Sequence, residues 1–113
     1  MITILHNPRC SKSREGLQIL KDHDQEFEVI RYLDNQITEE QLRLIISLLN
    51  IKPIELVRKN ETIWKSEFKN LVLSDNEIIS TMIKHPKLIE RPIIINGNKA
   101  VIGRPAQNIL SIL

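Results

Sequence analysis

At 113 residues, with 42% apolar and 27% charged side chains, the chain has the size and balance of one globular domain able to bury a single core. Its 16 cations against 14 anions leave a formal charge of only +2, too even for a sequence-independent nucleic-acid binder, which needs a dense basic stripe. One cysteine excludes an internal disulfide, a CxxC redox pair and a thiolate-rich zinc site, and no apolar run approaches the roughly 18 residues of a membrane span.

The opening MITILH carries no basic stretch ahead of an apolar segment, so no signal peptide is expected. A lone free thiol then points to the reducing cytoplasm. Residues 2–5, ITIL, are β-branched or apolar and run into Asn7-Pro8, which predicts a first strand followed by a turn. From Ser11 the pattern turns helical: Leu17 and Leu20 share a face, and Asp22-His23-Asp24 ends the helix. Residues 27–32, FEVIRY, alternate and are rich in strand formers, which predicts a second strand.

Thr38-Glu39-Glu40-Gln41 is a capping box. Leu42, Ile45, Ile46 and Leu49 follow at i, i+3, i+4 and i+7, an amphipathic helix closed by Asn50 and Lys52-Pro53. A second box, Ser74-Asp75-Asn76-Glu77, opens a helix whose Ile78, Ile79, Met82 and Ile83 are expected to face inward until His85-Pro86 breaks it. Trp64, in ETIWKSEF, reads as packing within this helical stretch. Residues 93–95 and 99–102 flank Asn96-Gly97-Asn98, a hairpin signal whose spacing leaves the turn type open. A last helix is expected from about Pro105, with Ile109, Ile112 and Leu113 turned to the core. The order predicts an α/β fold: one domain over residues 1–113, a four-stranded mixed sheet, and a helical insertion at about 38–90 between strands 2 and 3.

The chemistry concentrates in HNPRCSKSR, residues 6–14, which places Cys10 between a strand and the amino end of a helix. Unpaired N–H groups and the positive end of the helix dipole lie there, and a thiolate is an anion. Arg14 and Lys12 add charge. For a thiol in general, lowering the pKa from roughly 8.5 to about 6.5 raises its ionised fraction at pH 7 about 25-fold and lowers its nucleophilicity about eightfold. The net gain is only a few-fold, so such a pocket must act mainly by placing an electrophile against the sulfur. Taken alone, Cys10 reads equally well as a small buried hydrophobe, and Ser11 and Ser13 as helix caps. No His/Asp/Glu cluster suggests a metal site.

The segment H-N-P-x-C-S-x-S-R resembles the active-site segment of the glutaredoxin-dependent arsenate reductases. LVRKNE at 56–61, HPKLIERPIII at 85–95 and IGRP at 102–105 agree with that family in order and spacing. The resemblance implies a thioredoxin-like fold, with Cys10 as the catalytic nucleophile and Arg58, Arg91 and Arg104 binding the oxyanion. Arginine suits that task because its planar fork meets a tetrahedral oxyanion bidentately. His6, Asn7, Ser13, Arg14 and Pro92 fall at supporting positions, with Pro92 matching a cis-proline beside the thiol.

The implied reaction reduces arsenate, or a similar oxyanion, through a covalent arseno-cysteine. Glutathione is the co-substrate and glutaredoxin the protein partner, with no bound cofactor, no metal, no nucleic acid and no membrane. A cytoplasmic monomer is expected. Two other readings stay open. Cys10-Ser11-Lys12-Ser13 is a C-x-x-S arrangement of the kind used by monothiol glutathione-dependent oxidoreductases. Related thioredoxin-like proteins are redox-responsive regulators that bind RNA polymerase, although their switch usually needs a C-x-x-C pair and Ser13 holds the second position here. Arg9, just before the cysteine, is a large cation that the mechanism does not require, and it either tunes substrate entry or faces solvent.

Overall fold

Ile2, Ile4 and Leu5 are all buried, which needs cover on both faces of their strand. The computed structural model, which describes residues 1–34 and 37–113, accordingly sets β1 (Ile2–Leu5) inside a sheet rather than at its edge. The sheet order is β2-β1-β3-β4, with β2 at Phe27–Ile30, β3 at Ile93–Asn96 and β4 at Lys99–Ile102. β1 runs parallel to β2 and antiparallel to β3, and β3 and β4 form an antiparallel hairpin. The mixed four-stranded sheet expected from the sequence is present.

The chain divides into two compact units, Met1–Asn35 with Arg91–Leu113, and Gln36–Glu90. The first unit holds the sheet, helix α1 (Ser11–Asp22) and a terminal 3₁₀ helix, Ala106–Ile112. Ile4 pairs in register with Val29 and Ile94, so Ile2, Ile4 and Ile94 present one face to a core completed by Leu20, Ile109 and Ile112. Leu5 and Ile93, opposite each other in register, are buried on the other face.

Three boundaries differ from the sequence reading. β2 stops at Ile30, because Arg31 begins a turn closed by Asp34 N–H donating to the Arg31 carbonyl at 3.0 Å. Asn96 belongs to β3 and pairs with Lys99, so the hairpin loop is only Gly97-Asn98, with φ +63° at Gly97. Positive φ at the first loop position is the glycine signature of a type II′ turn. The last helix is present where expected, as a 3₁₀ helix over Ala106–Ile112, but without Leu113 on its buried face. At three residues per turn Ala106, Ile109 and Ile112 stack on one buried face, and Leu113 falls off it and is exposed.

The second unit contains α2 (Glu39–Leu49) and α3 (Asp75–Lys84), both opened by the predicted boxes. Thr38 Oγ1 accepts from Gln41 N–H at 3.1 Å, and Gln41 Oε1 accepts from Thr38 N–H at 2.8 Å. Ser74 and Glu77 repeat this exchange at 3.2 and 3.0 Å. Leu42, Ile45 and Ile46 are buried on α2, and Ile78, Ile79 and Met82 on α3, while Leu49 and Ile83 are only partly covered. Asn50, with φ 56°, closes α2 in the left-handed region. Trp64 is buried and begins a π-type turn, Trp64–Phe68, its ring 5.8 Å from that of Phe68.

Candidate active site

β1 ends by delivering His6, whose N–H donates to the Ile30 carbonyl at 2.9 Å and so extends the pairing with β2 by one residue. Asn7 then shapes the loop with three groups. Its carbonyl accepts from Cys10 N–H at 3.0 Å, and its Oδ1 accepts from Arg9 N–H at 3.0 Å. Its own N–H donates to Ser13 Oγ at 3.0 Å. An asparagine side chain standing in for a backbone turn is what makes this tight connection possible. Ser13, fully buried, also shares a 2.7 Å hydrogen bond with His6 Nδ1.

Cys10 is thereby fixed as the N-cap of α1, with extended backbone, and its carbonyl accepts the first intrahelical bond, from Arg14 N–H at 3.0 Å. The thiol is partly exposed and free. It makes no formal cap hydrogen bond, yet its surroundings decide its protonation. Burial pushes the thiol up. The Ser13 N–H, the Arg91 guanidinium acting as donor and as charge, and the Lys12 N–H together outweigh burial and hold it below the ordinary thiol value. The helix terminus thus stabilises the thiolate through backbone groups, and Arg91 through its side chain.

His6 is also shifted down. Desolvation is the largest cause, followed by the positive charge of Arg31, against which the Ser13 contact works in the other direction; Arg14 and Lys21 add to the lowering. A buried, neutral imidazole bonded to Ser13 holds the loop in place, and the described contacts give it no bond to the sulfur.

Arg91 is buried at the end of the chain's return into the sheet, immediately before Pro92 and β3. Its carbonyl accepts from Arg104 Nη1 at 3.5 Å, which draws Arg104, two residues past the end of β4, towards Arg91. Both Arg91-Pro92 and Arg104-Pro105 are cis. The first was expected and the second was not. Arg14 is committed elsewhere: its Nη1 donates to the Pro8 carbonyl at 3.0 Å, so it braces the loop. Arg58 lies in the second unit, where an antiparallel bridge between Val57 and Ile89 brings it beside Glu90. Its guanidinium is 3.4 Å from Glu61 and 3.8 Å from Glu90, distances of ion pairing without hydrogen-bond geometry.

Cys10, Ser13, His6, Asn7, Arg91, Pro92 and Arg104 therefore all belong to the sheet-bearing unit. Two residues that the sequence reading passed over support them. A Cβ on Gly16 would lie 2.8 Å from Pro92 Cγ, and one on Gly103 would lie 3.0 Å from the same atom. Gly103 N–H also donates to the Pro92 carbonyl at 2.8 Å. The proline ring is seated between two glycines with Ile109 beside it, and Arg91 is its immediate neighbour. The signal was available: a glycine inside a helix costs about 1 kcal/mol and so wants a packing reason.

Among the described residues no group of three or more His, Cys, Asp or Glu side chains comes together that could hold a metal ion. No helix among them is long and apolar enough to cross a membrane.

The ArsC family model matches residues 5–112. An arsenate reductase of Haemophilus influenzae is 40% identical, with 99% of this chain and 98% of the relative covered. The uncharacterized protein YfgD of Escherichia coli K12 is also 40% identical, over 99% of this chain and 96% of its own length. The solved arsenate reductase from Vibrio cholerae superposes with a TM-score of 0.94 at 37% identity, covering 99% of this chain and 97% of that one. With β1-α1-β2, a helical insertion and a β-hairpin arranged as in those structures, the fold is thioredoxin-like. From the last residue of β1 through the terminal 3₁₀ helix, the chain belongs to the ArsC family.

Proposed function

We propose that this protein reduces arsenate to arsenite through a covalent intermediate on Cys10, with thiols supplied from outside. The observation that carries the reading is the placement of the chain's one cysteine as the N-cap of α1, in the same unit as the buried Arg91, whose guanidinium favours the ionised sulfur. A cation beside a nucleophile serves an anionic electrophile twice, because it lowers the sulfur's pKa and gives the incoming oxyanion a bidentate partner. Arg104, drawn to the Arg91 carbonyl, supplies the second cation. Arg58 is assigned to the oxyanion by the family resemblance alone.

In the proposed sequence Cys10 Sγ bonds to arsenic and water leaves. Glutathione adds to the same arsenic and a second water leaves. A glutaredoxin thiolate attacks the glutathione sulfur, the arsenic–sulfur electron pair stays on arsenic, and As(V) becomes As(III) as a mixed disulfide forms. Hydrolysis frees arsenite and returns Cys10. Two electrons enter from two external thiols, so one cysteine in the chain is enough. A free nucleophilic thiol and a thiol co-substrate both require a reducing compartment, so we place the protein in the cytoplasm, acting as a monomer.

The test is arsenite release from arsenate by purified protein with glutathione and glutaredoxin. Cys10→Ser should abolish turnover with the fold intact, and appreciable residual reduction would sink the covalent step. The C-x-x-S arrangement keeps one alternative in view, a monothiol oxidoreductase acting on glutathione mixed disulfides. Turnover of such disulfides without any arsenite release would favour it.

A further inference from the structure

Arg9 stands next to the thiol, and the mechanism leaves its side chain unused. Its backbone is pinned, since its N–H donates to Asn7 Oδ1 at 3.0 Å and the next residue's N–H donates to the Asn7 carbonyl at 3.0 Å. Its side chain is exposed. The other exposed cations of this loop and of the strand end are already matched. Lys12 lies 3.7 Å from Glu15, Arg14 donates to the Pro8 carbonyl, and Arg31 lies 3.1 Å from Asp34. Among the described residues the Arg9 guanidinium has no ion pair or hydrogen bond. A long cation on a rigid backbone, adjacent in sequence to the nucleophile and without a carboxylate of its own, suits a transient anionic visitor.

We infer that Arg9 is a specificity-determining residue for the second thiol, selecting a small thiol that carries carboxylates, such as glutathione, over neutral or cationic ones. This rests on the reading that an external thiol must reach a Cys10 adduct, but it does not depend on arsenic. In the arsenic cycle that thiol adds to arsenic on Cys10; the arsenic-free step that reads the same selection is thiol exchange. An anionic thiolate attacks Cys10 Sγ in a mixed disulfide, a new sulfur–sulfur bond forms, the old one breaks, and the departing thiolate takes up a proton.

The experiment loads Cys10 of the whole protein with a neutral pyridyl group from 4,4′-dithiodipyridine and follows thiopyridone release. Glutathione (anionic), 2-mercaptoethanol (neutral) and cysteamine (cationic) are compared, with arsenate absent throughout. Near-surface charges a few ångströms apart in water predict a change of about threefold per unit charge. The glutathione to 2-mercaptoethanol rate ratio should fall about threefold in Arg9→Ala and about tenfold in Arg9→Glu. The cysteamine ratio should rise by similar factors, and added salt should erase both effects. Lys12→Ala, whose charge is already matched, should change either ratio by less than about twofold.

Equal slowing of all three thiols, or unchanged ratios, overturns the inference. An equal response to Lys12→Ala overturns it too, by making the field diffuse. Slowing confined to reduction by glutaredoxin overturns it by assigning Arg9 to a protein partner. Failure of arsenite release in the separate turnover assay would remove arsenate as substrate and leave the thiol ratios standing.

Discussion

Gly16→Ala tests whether Pro92 and its neighbour Arg91 are held by packing. In an unconstrained helix interior the change should stabilise by about 1 kcal/mol, because alanine loses less backbone entropy than glycine. Here the new Cβ would stand 2.8 Å from Pro92 Cγ and 3.1 Å from Ile109 Cδ1, against an ordinary carbon–carbon contact of about 3.5–4.0 Å. Ile109 can change rotamer, but a proline ring cannot swing aside, and overpacking of this kind costs about 1–3 kcal/mol. The net expectation is a loss of roughly 1 kcal/mol, seen as a fall of about 4 °C in Tm. Displacing the ring should also displace Arg91, so the pH midpoint of Cys10 alkylation by iodoacetamide should rise. A variant that melts higher than wild type, with an unchanged midpoint, would refute the idea of a rigid proline seat.

Arg91→Ala removes both the donor and the charge that favour the thiolate, so its alkylation midpoint should move up towards the ordinary thiol value and the rate at pH 7 should fall; an unmoved midpoint would show that the helix terminus acts alone. Ser13→Ala keeps the backbone N–H that faces the sulfur but strands the buried Asn7 N–H and the His6 ring, which should cost about 2 kcal/mol in urea unfolding while shifting the midpoint less than Arg91→Ala does. His6 is held neutral in the fold, with burial the main cause, so the unfolded chain takes up its proton first on acidification. Stability should therefore begin to fall as pH drops through about 6.5, the ordinary imidazole value, and His6→Gln should flatten that part of the profile. An identical pH profile in the variant would contradict this assignment.

The parts of the fold that were legible in the sequence are those fixed by local chemistry. The boxes at Thr38 and Ser74 and the left-handed Asn50 cap each depend on residues within four positions of one another, and all appear where the pattern placed them. In the terminal helix only Leu113 was misplaced, because the buried spacing 106, 109 and 112 follows a three-residue period that a short segment does not distinguish from a wider helical stripe. Cys10 and its loop were visible as one motif. What Asn7 does with its three hydrogen bonds was not, since that depends on where the loop closes. Arg91 lies 81 positions from Cys10, so nothing local joins the two, and only the resemblance placed Arg91 at the site. Gly16 and Gly103 could be understood only once Pro92 was seen between them.

The central claim is that the Cys10 thiolate and an oxyanion share one pocket held by Arg91. The most direct measurement is the rate of Cys10 alkylation with increasing arsenate, in wild type and in Arg91→Ala. Arsenate should protect wild-type Cys10 in a saturable way, and protection should be lost or strongly weakened in the variant. Alkylation of the wild type that proceeds at the same rate with and without arsenate would contradict the account.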